Sequence, residues 1–289
     1  MSNANAPLPS QDAKPSSSTS LTASTENSVS ENAAENQLSK IAGDDYYNIK
    51  PRQVLKFFKP TTPDPWDGNA PQALMIFESL IANNYAILDN FIDPEEGRLL
   101  RNEIQQLYRD GRMVDGKIGK NAAGTDGDVR PDMRTDKMVW MEGSEPFVGK
   151  YLKRHILRAD ILAQKINLLL ESMGHKDAWE GCSRCKIMAT CYPEGGKRYV
   201  AHYDNPNRNG RKLTIILYLN EWWKEGDGGV LRAKTNGVQL DVAPLFNRLF
   251  AFWSDRRVPH EVLPTAAKRD RFAITIWYMD DAEKRLGPL

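Results

Sequence analysis

The chain has 289 residues, with 39 lysines and arginines set against 38 aspartates and glutamates, and three cysteines. A net charge of +1 offers no electrostatic basis for a dominant role on nucleic acid or at a membrane surface, and no run reaches the roughly 18 apolar residues of a membrane span. The first residues lack the apolar core of a signal peptide, so a cytoplasmic or nuclear protein is expected, and few cysteines fit a reducing compartment.

Residues 1–40 consist mainly of Ser, Thr, Asn, Ala, Glu and Gln without an aromatic side chain. Such a stretch cannot bury enough apolar surface to offset its ordering entropy and is expected to be disordered. Prolines at 51, 60, 63 and 65 around the Val54–Phe58 segment mark a linker, so residues 1–65 are expected to be tail and linker and 66–289 one globular domain. Ile76, Leu80 and Ile81 suggest a short helix, and residues 84–91 a strand. Asp93-Pro94-Glu95-Glu96 is a helix start: a capping side chain, a proline in the first turn, and acids at the positive end of the dipole. Leu99, Leu100, Ile104 and Leu107 line one face of that helix.

From Gly111 to Asp136 apolar residues thin out, and a connection this long is usually functional or disordered. Between Phe147 and Met173, apolar residues keep helical spacing, as one long helix or two abutting ones. His155 and His175 have no ligand-like neighbours there and read as packing or surface residues. Cys182-Ser183-Arg184-Cys185 has the spacing of a zinc or redox motif, but further ligands and a strand-to-helix setting are both wanting. Cys191 reads as a small buried apolar residue.

Strand-like segments follow at 186–192, 199–202, 212–220, 229–232, 247–253 and 271–278, with one longer gap at 233–246. Short, turn-separated strands argue for a jelly roll rather than parallel βαβ units. The fold expected is mainly β with supporting α-helices on the outer face. Within it, His202 and Asp204 stand two residues apart and can face the same way, while His260 comes from a distant segment. Two imidazoles and one carboxylate bind one face of an octahedral metal and leave positions open, as in non-haem Fe(II) oxygenases. Arg271 opens an alternating strand and can hold a dicarboxylate by a charge-assisted fork; Arg269 competes for that role.

The strings C-Y-P (191–193), Y-V-A-H-Y-D-N-P-N (199–207), Y-L-N (218–220), G-G-V-L-R (228–232), W-S-D-R-R-V-P-H-E-V (253–262) and R-F-A-I-T-I-W-Y (271–278) resemble the animal hypoxia-inducible-factor prolyl hydroxylases. The resemblance extends upstream through Arg134–Lys137 and Trp140–Gly143 to about Ala73. It implies a double-stranded β-helix at 66–289 that hydroxylates C4 of a proline. Fe(II) would be held by His202, Asp204 and His260, with 2-oxoglutarate and O2 as co-substrates and ascorbate as supporting reductant. It assigns the far carboxylate of 2-oxoglutarate to Arg271 and Tyr218, with Tyr192 and Thr275 lining the same pocket. Arg134 and Asp136 fall on a mobile substrate loop, Arg211 beside the peptide, and Trp277 on an apolar wall with Met188, Ile216 and Val262. The implied partner is a proline-containing segment of a hypoxia-inducible-factor α subunit, bound by a monomer. With no cysteine before 182, the N-terminal zinc finger often carried by animal members is not expected. A proline of another intracellular protein, or a non-catalytic jelly-roll binder, stands as the alternative reading.

Overall fold

The computed structural model describes residues 70–119, 127–181, 183–266 and 269–286. The expected tail and linker at 1–65, the Val54–Phe58 segment and Cys182 lie outside the described residues. The helices are α1 (Ala70–Asn83), α2 (Pro94–Arg109), α3 (Lys150–Ser172) and α4 (Asp281–Leu286). The strands before α3 are β1 (Tyr85–Leu88), β2 (Val114–Asp115), β3 (Lys117–Ile118), β4 (Asp128–Val129) and β5 (Lys137–Met141). Those after it are β6 (Ile187–Tyr192), β7 (Tyr199–His202), β8 (Arg211–Tyr218), β9 (Leu231–Thr235), β10 (Val238–Val242), β11 (Arg248–Trp253), β12 (His260–Val262) and β13 (Arg271–Met279).

The strands form a seven-stranded sheet in the order β1-β11-β8-β13-β6-β5-β2 and a four-stranded sheet in the order β10-β9-β12-β7, beside a β3-β4 hairpin. The paired strands are antiparallel, as short turn-linked segments require. In β13 the period of two separates two buried faces. Phe272, Ile274, Ile276 and Tyr278 pack with α1, α2 and α3 in the main core, whereas Ala273 faces Leu231, Ala233 and Val242 of the smaller sheet. Arg271, Thr275 and Trp277 share the face of Ala273. A strand buried on both sides must therefore place its polar residues where something can pair with them.

The Asp93 side chain caps α2 by accepting from the N–H groups of Glu95 and Glu96, each at 3.0 Å. α3 is a single helix of 23 residues, and its capping residue Gly149 offers no side chain. Glu103 of α2 takes that part across the helix interface, accepting from Tyr151 N at 3.1 Å and Leu152 N at 2.8 Å. Glu103→Ala should cost about 1 kcal/mol of stability, the usual value of a lost N-terminal cap, read by urea unfolding. An unchanged midpoint would show that water replaces the carboxylate without loss.

His155, on α3, is 1% exposed and edge-on to Phe91, and neither ring nitrogen has a hydrogen-bond partner. Burial, with Arg158 nearby, pushes its pKa down to about 3. The unfolded chain then binds one more proton than the folded one between about pH 3 and pH 6.5, so this residue lowers stability as the pH falls through 6.5. His155→Leu should lose roughly 2 kcal/mol less stability than the parent between pH 7 and pH 5 in denaturant titrations. An equal loss would mean that the ring protonates freely when folded.

Six strands arise where the sequence showed none. The gap at 233–246 contains β10, hairpinned to β9 with Val238 opposite Thr235 across Asn236-Gly237. Both turn residues have positive φ, 50° and 77°, the Asn-Gly turn that suits a tight hairpin. β5 pairs with β6 from Lys137↔Cys191 to Met141↔Ile187, and β12 is only three residues long. Pairing partners decide such short strands, and local pattern does not. Within 111–136 the chain also forms β2, β3 and β4.

Candidate metal centre and co-substrate pocket

His202 ends β7 and lies directly opposite His260, the first residue of β12. Asp204 follows in the turn just after β7. One ligand atom from each of the three residues lies within 4.8 Å of the others. The Nδ1 of His202 is 2.8 Å from Val200 O, and that of His260 is 3.0 Å from Val258 O. A carbonyl only accepts, so each ring carries its proton on Nδ1 and turns the Nε2 lone pair inward. Both Nε2 atoms lie 3.8 Å from Asp204 Oδ1. The other oxygen, Oδ2, accepts from Thr214 Oγ1 at 2.7 Å, and Thr214 is in turn 2.8 Å from Ser254 Oγ.

Protonation states suit a metal. Burial, reinforced by His260, pushes the His202 pKa down to about 3, so its ring is neutral at pH 7. Burial raises the Asp204 carboxyl, but His260, His202, Arg211 and the Thr214 hydroxyl outweigh it and hold it below the ordinary carboxylate range. Two imidazoles and one carboxylate therefore turn their donor atoms toward a common point. The donor set fits Fe(II), with three protein ligands on one side and the opposite side open.

Further along the inner face stands Arg271, 6% exposed. Its Nε donates to Gly229 O at 2.7 Å, and it forms no ion pair with any described residue. Gly229 has a φ of +67°, and an added Cβ would lie 2.7 Å from the Arg271 Cδ, so this approach requires glycine. The guanidinium carbon is 4.9 Å from the Tyr192 ring centre and 5.2 Å from that of Tyr218. Tyr218 is fully buried, and its hydroxyl, beside Arg271, makes no well-directed hydrogen bond among the described residues. Such an orphan costs about 1–3 kcal/mol unless a ligand satisfies it. Burial pushes the Tyr218 phenol up to about 12 despite the opposing pull of Arg271, so it stays a donor. A buried cation beside a buried phenolic donor is built to receive a carboxylate.

Arg269 is excluded from that role. Its side chain is 48% exposed, donates to Trp222 O at 2.9 Å and lies 4.0 Å from Asp227. Along β8 the anion end at Tyr218 and the metal end at Thr214 are four residues apart, roughly 13 Å between Cα atoms. Thr275 lies on the same face between them, paired with Ile216 and Met188 in the neighbouring strands. Ile216 and Met188 are buried, as an apolar wall requires.

The residues expected near substrate separate into two groups. At the mouth, the Arg211 guanidinium lies 4.4 Å from the Trp277 ring centre and donates to Asp204 O at 3.2 Å. Trp140 stacks on Trp277 at 5.5 Å, and the buried Trp277 Nε1 has no partner. Arg134 and Asp136, by contrast, are 6% and 0% exposed and face each other as a two-pronged ion pair, at 2.8 and 2.5 Å. Thr214, Ser254 and Tyr199 were given no role by sequence reasoning. A threonine inside the otherwise apolar run Leu213–Tyr218 was the available signal. Of the C-x-x-C, Cys185 is a free, half-buried thiol 3.2 Å from Met279 Sδ, and Cys191 is a buried free thiol.

Comparison with known proteins agrees with this geometry. The profile of the 2OG-Fe(II) oxygenase superfamily matches residues 187–279, which hold the three metal donors and Arg271. Prolyl hydroxylase EGLN3 of Mus musculus is 36% identical over 211 residues, spanning 69% of this chain and 80% of that protein. The chain belongs to the EGLN prolyl hydroxylase family. Egl nine homolog 1 of Homo sapiens is 37% identical over 209 residues, of which the match spans 68% of this chain and 44% of the relative. The chain thus spans about half the length of the Egl nine homologs it matches. Among solved structures, a prolyl hydroxylase in complex with a hypoxia inducible factor oxygen degradation domain peptide fragment, from Trichoplax adhaerens, superposes with a TM-score of 0.64 at 31% identity, covering 78% of this chain and 97% of that one. A Pseudomonas putida prolyl-4-hydroxylase superposes with a TM-score of 0.60 at 27% identity, covering 72% and 100%. The mainly β, jelly-roll architecture is that of the EGLN family. No described helix is long and apolar enough to cross a membrane.

Proposed function

We propose that residues 66–289 form a catalytic domain acting as an Fe(II)- and 2-oxoglutarate-dependent prolyl 4-hydroxylase on a hypoxia-inducible-factor α subunit, in the cytoplasm or nucleus. The observation that carries this reading is the convergence of His202, Asp204 and His260, beside a buried arginine that has no acid partner among the described residues. The peptide-bound relative from Trichoplax adhaerens supports the substrate class. Iron, when bound, supplies the oxidation that couples 2-oxoglutarate and O2 to insertion of oxygen at a proline carbon.

His202, Asp204 and His260 would hold the metal, and the Thr214 hydroxyl keeps Asp204 Oδ2 occupied, leaving Oδ1 as the free donor. Arg271 and the Tyr218 hydroxyl bind the far carboxylate of 2-oxoglutarate, with Tyr192 and Thr275 lining its path. Ile216, Met188 and Val262 exclude water from the reacting centre. Trp277 presents an apolar wall to the proline ring, and Arg211 stands at the mouth to take peptide backbone or acidic side chains. Residues 133–135 lie along β7, and with the Arg134–Asp136 pair they would stand beside the peptide.

Mass spectrometry of a proline-containing peptide from a hypoxia-inducible-factor α subunit, incubated with Fe(II), 2-oxoglutarate and air, tests the reading. A gain of one oxygen on proline that requires both Fe(II) and 2-oxoglutarate is expected. Consumption of 2-oxoglutarate without that gain would move the substrate to another protein. Neither event would leave a binding module.

A further inference from the structure

His202 and His260 are held differently. His260 is 5% exposed and packs edge-on to Phe252 at 4.8 Å, so the core between the sheets sets its ring plane. The His202 side chain is 21% exposed. Its Nδ1 bond to Val200 O pins one atom of the ring, and rotation about that point is left to its neighbours. These are His260, with ring centroids 4.4 Å apart, and Tyr199, whose ring stacks on the imidazole with centroids 3.8 Å apart and planes inclined by 23°. The Arg134 guanidinium lies 4.5 Å from the Tyr199 ring centre.

Arg134 is itself tightly fixed. Asp136 grips two of its nitrogens, and NH1 donates to Lys117 O at 3.3 Å on β3. Thr135 N donates to Arg198 O at 3.0 Å, and Val200 N to Met133 O at 2.8 Å, so this segment lies along β7. Gly116, at the other side of the cluster, leaves no room for a side chain: an added Cβ would meet the Arg134 Nε and lie 2.8 Å from Asp136 Oδ1.

The geometry points to Arg134 and Tyr199 as positioning residues that set the ring plane of His202, so that the placement of residues 116–119 and 133–136 is transmitted to the metal through a guanidinium–phenol–imidazole series. This inference rests on the reading of His202 as an iron ligand. A cation over an electron-rich ring and an offset aromatic stack are each attractive, and both gain from the burial of Arg134. The series accounts for why Arg134 and Asp136 are inside the protein although they belong to a segment beside the substrate.

Co(II) titration of the full chain, followed by the ligand-field absorption bands, tests this without turnover. Tyr199→Phe keeps the stack and should bind Co(II) within about two-fold of the parent. Tyr199→Leu should weaken binding about ten-fold, the lower end of what changes around a ligand usually cost, and shift the bands. Gly116→Ala, which alters neither Tyr199 nor a ligand, should displace Arg134 and move affinity and bands in the same direction, by a few-fold. Unfolding of the metal-free variants provides the control for a general loss of structure. Parent-like affinity and bands in folded Tyr199→Leu would overturn the inference and leave the iron site standing. Failure of the parent chain to bind Co(II) would overturn the iron site itself, and this inference with it.

Discussion

Asp204→Ala should reduce metal affinity by more than about a hundred-fold, beyond the usual cost of altering a residue that only supports a ligand, and abolish 2-oxoglutarate turnover. The fold should survive. In the metal-free protein Asp204 is a buried carboxylate whose oxygens face two imidazoles and one hydroxyl. Its removal leaves Thr214 still bonded to Ser254 at 2.8 Å, so no polar group is orphaned. Stability without metal should therefore fall by less than about 2 kcal/mol, the range of one hydrogen bond to a charged group. Chelator competition for Fe(II) under argon and urea unfolding separate the two effects. Parent-like affinity in the variant would dismiss Asp204 as a ligand. Added metal should raise the midpoint of thermal unfolding of the parent and leave that of the variant in place, because only the parent's folded state gains binding energy.

Arg271→Ala should weaken 2-oxoglutarate binding about a hundred-fold, while Arg269→Ala should change it by less than about two-fold. The reason is placement. Arg271 is buried with no acid partner among the described residues and has the Tyr218 hydroxyl for company, so a dicarboxylate loses one or two charge-assisted hydrogen bonds, about 3 kcal/mol, when the side chain is cut. Arg269 is half exposed and engaged with Trp222 O, and a solvated pair of that kind carries little energy. Arg271→Lys should recover part of the loss, since it restores the charge but not the fork. Dependence of initial rate on 2-oxoglutarate concentration measures all three variants. A larger effect at Arg269 than at Arg271 would reverse the assignment, and with it the alignment of β13 to the pocket.

Much of this site was legible in the chain because it rests on local rules. The period of two in Phe272–Tyr278 puts Arg271, Thr275 and Trp277 on one face wherever the strand lies. The turn after His202 keeps Asp204 within reach of the same ion. The cap at Asp93 and the proline after it start α2 where the residues say. β10 was missed although Asn236-Gly237 signalled its hairpin, because the strand itself is short and polar, Val-Gln-Leu-Asp-Val, and exposed along most of its length. β5 and β12 carry no such signal; each is a strand only because β6, or β7 and β9, lies beside it.

By itself the sequence determined the donor types, their spacing within each strand, and the alternation that commits each side chain to a face, since these follow from covalent geometry and the pleat. Only the tertiary structure decided which of two nearby arginines is buried, because Arg271 opens β13 between β6 and β8 whereas Arg269 lies in the bend before that strand. It likewise decided that Arg134 and Asp136 face inward and meet Tyr199, and that Thr214 holds one oxygen of Asp204. Those contacts join residues 10 to 65 positions apart, and no local preference encodes them: they exist because two sheets close on one another and leave a charged or polar atom no other partner.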